Sequence, residues 1–138
     1  MRIVVDSNRI ISALIKDSTT RSLLFNKTFE FIAPSYILSE INKYKDYIIK
    51  KTKIDEEEFK ILLSLIFENI KIISESEYGK FIKEIKSELS DLNDLPYLAA
   101  SIFTKAKGIW THDSHFKEQR KIKIFSNIDL LELNKNST

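Results

Sequence analysis

Ile3-Val4-Val5-Asp6-Ser7-Asn8 is the stretch that decides how the rest of the chain is read. Three β-preferring apolar residues in a row, with no polar alternation, suit a strand covered on both faces, as in a parallel sheet. Asp6 falls where that strand stops. In open α/β sheets the carboxyl ends of the strands form the edge at which ligands bind. From Arg9 to Lys16 apolar residues recur at helical spacing, with Ile10, Ile11, Leu14 and Ile15 on one stripe. Asp6-Ser7-Asn8 is therefore a short strand-to-helix turn. An acid held rigidly there can ligate a metal, or can do no more than cap the helix that follows.

Outward from this turn the same grammar repeats. Phe29 to Ala33, ended by Pro34, Ile70 to Ile73, Gly108 to Thr111 and Lys123 to Phe125 read as four further short strands. Leu23 to Phe25 suggest a short helix. Ser35 is expected to cap a helix that turns Ile37, Ile41, Tyr44 and Ile48 inward. Glu40 lies on that inward stripe, and a half-buried carboxylate needs a partner, a proton or a metal. Asp55 with Glu58, and Ser74 with Glu77, form capping boxes for two more helices. The first buries Phe59, Leu62, Leu63, Ile66 and Phe67. The second buries Tyr78, Phe81, Ile82, Ile85 and Leu89. Asp94 stands in the cap position of a helix that carries Pro96 early, where its missing N–H is tolerated. Ile128 to Leu133 read as a terminal helical turn, and Asn134 to Thr138 as a frayed end. Strands alternating with amphipathic helices predict a parallel sheet between helical layers. Residues 1–138 are expected to form one domain, since no repeat or linker divides them.

Composition narrows the class. Hydrophobic residues at 43% and charged residues at 30% are ordinary for a soluble globular protein. The absence of cysteine removes disulfides and thiolate metal sites, and fits a reducing cytoplasm. No apolar run approaches the ~20 residues of a membrane span. No basic region followed by a long apolar core opens the chain, so no signal peptide is expected. Only Gly79 and Gly108 are present, far apart, which excludes a phosphate-cradling glycine loop. The formal charge of +2 does not by itself point to nucleic acid.

The acids carry more. Asp6 and Asp113 each follow a buried strand, Asp91 and Asp94 open a helix set against the sheet, and Glu40 faces inward. Parallel crossovers of one hand put all strand carboxyl ends on one edge, so these acids can converge there. Like charges at close range raise one another's pKa, and a cation relieves them. An oxygen-only donor set favours Mg²⁺ or Mn²⁺ over Zn²⁺. His112 and His115, without cysteine, fall short of the three or four ligands zinc wants.

Asp6-Ser7-Asn8 with Ser12, Glu40, Asp91-Leu92-Asn93-Asp94 before a Leu/Ala-rich helix, and Thr111-His112-Asp113 resemble, in order and spacing, the motifs of PIN-domain proteins. That family includes small prokaryotic toxin ribonucleases of the VapC-like kind. The resemblance covers nearly the whole chain. It implies a three-layer α/β/α sandwich with a five-stranded parallel sheet, an acidic Mg²⁺ or Mn²⁺ site, and cleavage of single-stranded RNA. Position by position it makes Asp6 and Asp94 the central metal ligands, with Glu40 and Asp113 as flanking acids and Asp113 also a ligand. Asp91 either adds a ligand or takes Asp94's place. Asn8, Ser12 and Thr111 resemble the polar residues that orient ligands and water. His112 departs from the smaller residue usual there and is expected to be exposed.

The resemblance also implies RNA as substrate, an antitoxin protein as partner and pairing into a homodimer, for which Phe59 or Tyr47 could serve. Arg9, Lys16, Arg21, the Lys43 to Lys53 group and Lys117 to Lys123 could follow a phosphate backbone, with Arg9, Lys43 and Lys117 taken as the candidate RNA-binding residues. These readings give a cytoplasmic, divalent-metal-dependent endoribonuclease. The alternative is a PIN-like module that binds RNA or protein without cutting.

Overall fold

The computed structural model describes residues 1–15 and 17–136. Lys16, one of the cations named above, and the last two residues of the expected frayed end lie outside that range. The chain runs β1 (Arg2–Val5), α1 (Ser7–Ile15), α2 (Ser18–Leu24), β2 (Glu30–Pro34), α3 (Tyr36–Lys43), α4 (Lys45–Thr52), α5 (Glu56–Phe67), β3 (Ile70–Ile73), α6 (Glu75–Tyr78), α7 (Ile82–Ile85), α8 (Leu95–Thr104), β4 (Gly108–Trp110), β5 (Lys123–Phe125) and α9 (Asn127–Asn136). Short 3₁₀ turns lie at Gly79–Phe81, Leu92–Asp94 and Ser114–Glu118. No helix among the described residues is long and apolar enough to cross a membrane.

All five strands are parallel, in the order β3-β2-β1-β4-β5. The chain builds outward from β1 to β3, then returns to lay β4 on the other side of β1. The boundary between β1 and β4 is therefore the switch point, where a crevice opens beyond the strand ends. Ile3, Val4 and Val5 are fully buried, as an unalternating apolar run requires. On one side α8 touches β1, β2 and β4 and carries α6 and α7 against it. Ala99, Ala100 and Ser101 are fully buried and small, which lets α8 approach the sheet closely. In a second group, α1 meets α2, α3, α4 and α5. The core centres on Trp110, Tyr97, Phe31, Phe116 and Phe125, with Phe31 and Trp110 stacked at 5.4 Å.

The helices depart from expectation at three places. The helix expected from Ser35 to Ile48 is broken at Tyr44, whose backbone (φ −97°, ψ 3°) closes a tight turn through Tyr44 N–H to Ile41 C=O. No Gly or Pro marks this break. Ser35 has helical dihedrals and makes no side-chain cap, so it continues the turn instead of opening it. The helix expected to end at Leu89 is instead two single turns joined by the 3₁₀ turn at Gly79–Phe81. α9 continues to Asn136, so residues 134–136 are helical and not frayed. Phe59, offered above as a dimer contact, is core at 3% exposure.

Gly108 is required by close approach. A Cβ there would meet the Phe125 ring at 2.4 Å and the Lys123 carbonyl oxygen at 2.6 Å. Backbone cannot yield as a flexible side chain can, so Gly108→Ala should separate β4 from β5. A loss of about 1–3 kcal/mol in chemical denaturation is expected. Unchanged stability would show that the two strands can part without penalty.

Candidate active site

The acids singled out in the sequence meet at the switch point. Asp6, Glu40, Asp91, Asp94 and Asp113 line one cavity of about 420 Å³, together with Asn8, Ser12 and Tyr44. Asp6 is delivered by the end of β1, and its N–H bonds the Trp110 carbonyl at 3.0 Å, which fixes it beside β4. Glu40 comes from α3, Asp91 and Asp94 from the turn before α8, and Asp113 from the loop after β4.

Thr111 organises the centre. Its hydroxyl donates to Asp6 Oδ2 at 2.7 Å and accepts from the Asp113 N–H at 2.9 Å and from Asn8 Nδ2 at 3.1 Å. One donor and two acceptor positions are all occupied, so the hydroxyl proton points at Asp6 and the carboxylate is held as an acceptor. Asp6 Oδ1 accepts the Ser7 N–H at 2.8 Å, a local turn contact and not a cap deeper into α1. Thr111→Val would remove the donor to Asp6 and strand two donors. A loss of about 1–3 kcal/mol is expected in thermal or chemical denaturation, with Thr111→Ser near wild type.

The two helix-start acids divide their roles. Asp91 has extended dihedrals and its carboxylate accepts the Asn93 N–H at 2.9 Å, so Asp91 is the cap. Asp94 stands at the N-cap position of α8, but its backbone is already helical and its side chain caps nothing. The capping role expected of Asp94 is thus taken one turn earlier. Asp94 is 7% exposed, and its Oδ2 is buried without a hydrogen-bond partner. A buried unpartnered carboxylate oxygen calls for a proton or a cation.

The electrostatics agree. Burial, then the charge of Glu40 and Asp113, pushes Asp6 up to about 6 against the pull of the Thr111 hydroxyl. Burial, then the charges of Asp113, Asp91, Asp6 and Glu40, pushes Asp94 up to about 7. Burial raises Glu40 as well, opposed by a hydrogen bond from the Tyr97 hydroxyl and by the charge of Lys43. Every acid of the set is felt by Asp94, which is what convergence on one point means.

Sequence reading missed several partners. Tyr97 lies three residues after Asp94 on α8, a spacing that shares a helix face, and it donates to Glu40. Tyr36, four before Glu40, donates to Asn93 Oδ1 at 2.6 Å. A ring nitrogen of His115 and carboxylate oxygens of Asp91 and Asp94 all lie within 4.8 Å of one another. The only signal for His115 was its position two after Asp113.

Arg9 is the main correction. Expected among the surface cations, it is 4% exposed. Its guanidinium donates to Asn8 Oδ1 (3.0 Å), Ser12 Oγ (3.0 Å), Thr20 Oγ1 (3.3 Å) and Asn127 Oδ1 (3.4 Å). None of these acceptors is a carboxylate. A charge surrounded this way braces Asn8 and Ser12 from beneath and cannot reach a phosphate in solvent. Lys43 and Lys117 are exposed, as is His112. Lys45, from the same basic group, is tied to Glu56.

The PIN domain family model matches residues 4–124. A search of curated protein sequences found no match. Among solved structures, the chain is similar to one in the crystal structure of VapBC2 from Rickettsia felis bound to a DNA fragment from their promoter. The TM-score is 0.66 at 20% identity, covering 91% of this chain and 98% of that chain.

Proposed function

This chain belongs to the PIN-domain family, and on that premise we propose that it is a divalent-metal-dependent endoribonuclease that hydrolyses phosphodiester bonds of single-stranded RNA. The observation that carries the reading is the Asp94 carboxylate, buried, pushed up to about 7 and with one oxygen unpartnered, in a cavity lined by four other acids. Hard oxygen donors without cysteine fit Mg²⁺ or Mn²⁺. Asp6 and Asp94 would hold the ion, with Asp113 and Asp91 completing its surroundings. Bound there, such an ion polarises a phosphoryl oxygen and lowers the pKa of a bound water.

The chain's own residues do the rest. Thr111 holds Asp6 as an acceptor facing the cavity, and Asn8 and Ser12 are steadied by Arg9. Tyr97 fixes the rotamer of Glu40, a half-buried acid that burial holds above the ordinary carboxylate range and that stands at the cavity as a candidate proton acceptor. Lys43 and Lys117 flank the acids with exposed positive charge that can follow a phosphate backbone.

We further propose that the protein is a cytoplasmic toxin with an antitoxin partner, supported by its likeness in fold to a chain of VapBC2. Pairing with a second copy is supported by the exposed Leu38 on α3, Tyr47 on α4 and Tyr44 at the turn between them. The test is incubation of purified protein with single-stranded RNA, with and without Mg²⁺ or Mn²⁺. Metal-dependent fragments are expected. Intact RNA under every condition would leave a binding module in place of an enzyme.

A further inference from the structure

We propose that His115 is a nitrogen ligand of this site and makes it prefer a first-row transition ion such as Mn²⁺ over Mg²⁺. The inference rests on the reading of the acidic cavity as a divalent-metal site. Its ring nitrogen, Asp91 and Asp94 offer three ligand atoms within 4.8 Å of one another, a spread one cation can close. Asp94 supplies an independent sign that a ligand belongs there, since it is 7% exposed and its Oδ2 has no partner.

His115 is exposed, yet it is not free to wander. Its N–H bonds Asp113 Oδ1 at 2.9 Å, and its Nδ1 lies 3.2 Å from the same oxygen. Backbone and ring thus converge on one carboxylate, folding the imidazole toward the acids. The 3₁₀ turn that carries it is anchored next door by Phe116, fully buried and edge-on to Tyr97 at 6.3 Å. With Nδ1 held at Asp113, Nε2 is the ring nitrogen left for a metal. A carboxylate behind one ring nitrogen is the usual support of a metal-binding histidine. Imidazole is a good donor to transition ions, whereas Mg²⁺ holds to oxygen and water.

The test compares wild type, H115A, H112A and D94N by calorimetric titration with MnCl₂ and MgCl₂, and by electron spin echo spectroscopy of the Mn²⁺-loaded proteins. Wild type and H112A should show modulation from a directly bound nitrogen, and H115A should lack it. H115A should weaken Mn²⁺ about tenfold or more while changing Mg²⁺ little. An oxygen-only spectrum in wild type, or equal weakening of both ions in H115A, overturns the assignment of His115 and leaves the metal site standing if D94N still loses binding. Wild type that takes up neither ion overturns both. His115 is on the surface, so its removal does not threaten the fold.

Discussion

Asp6→Asn should abolish RNA cleavage, by at least about a thousandfold, while the protein folds as well as or better than wild type. The two halves of this result have one cause. Asp6 is pushed up to about 6 by burial and by the neighbouring acids, so its negative charge is a burden on the fold. Asn is nearly the same shape and carries no charge; its single oxygen keeps one of the two bonds, from Ser7 or from Thr111, and the relief of buried charge offsets the bond lost. What it loses is the ability to hold a divalent cation at the end of β1, between the backbone of β4 and the acids of the other segments. Activity in an RNA cleavage assay should therefore vanish without loss of thermal stability. Equal cleavage by the mutant would remove Asp6 from the chemistry, and loss of both activity and fold would show that its role is structural.

The metal-free protein should lose stability as pH rises from about 4 to about 8. Asp6 titrates near 6 and Asp94 near 7 in the fold, against 3.8 for an unperturbed Asp. Across that window the folded state holds protons that the unfolded state has released, so stability falls with rising pH. Below the window both states are protonated and the full stability is present. Above it both are ionised and the loss is complete. For Asp6 a shift of about two units corresponds to about 3 kcal/mol, on the order of 10 °C in Tm for a domain of this size. Asp94 is coupled to it and adds less than an independent group would. The measurement is Tm against pH in EDTA and in Mn²⁺. EDTA should give a falling curve, Mn²⁺ should lift the high-pH end through binding to the folded state alone, and the Asp6→Asn/Asp94→Asn double mutant should fall far less, keeping only the smaller slope due to Glu40, with no response to Mn²⁺. A flat wild-type curve would mean that the acids do not share a confined space.

Much of this arrangement is written locally. The apolar run into Asp6 predicts a covered strand and its carboxyl-end acid, and the Asp55 and Ser74 boxes open helices where expected. The parallel sheet follows from alternation, and the meeting of the acids from the common edge it creates. What stays hidden is set by contacts across the chain. Arg9 looks like any surface cation until Thr20 and Asn127, both distant in sequence, close over it. The break at Tyr44 has no Gly or Pro to announce it, since helix propensity there is overruled by tertiary packing. Asp94 has the residue type and position of a cap. Only the 3₁₀ turn set up by Asp91 shows that the cap lies elsewhere. His115 and His112 are too few for zinc on their own, a count that says nothing of a histidine joined to acids.

The return of the chain from β3 to lay β4 against β1 has a consequence for the cell that makes this protein. Asp6 is synthesised well before the strand that must lie beside it. A nascent chain that has not yet reached residue 113 has neither β4 beside β1 nor Asp113 in the wall of the acidic pocket, so the pocket closes only after most of this domain has been made.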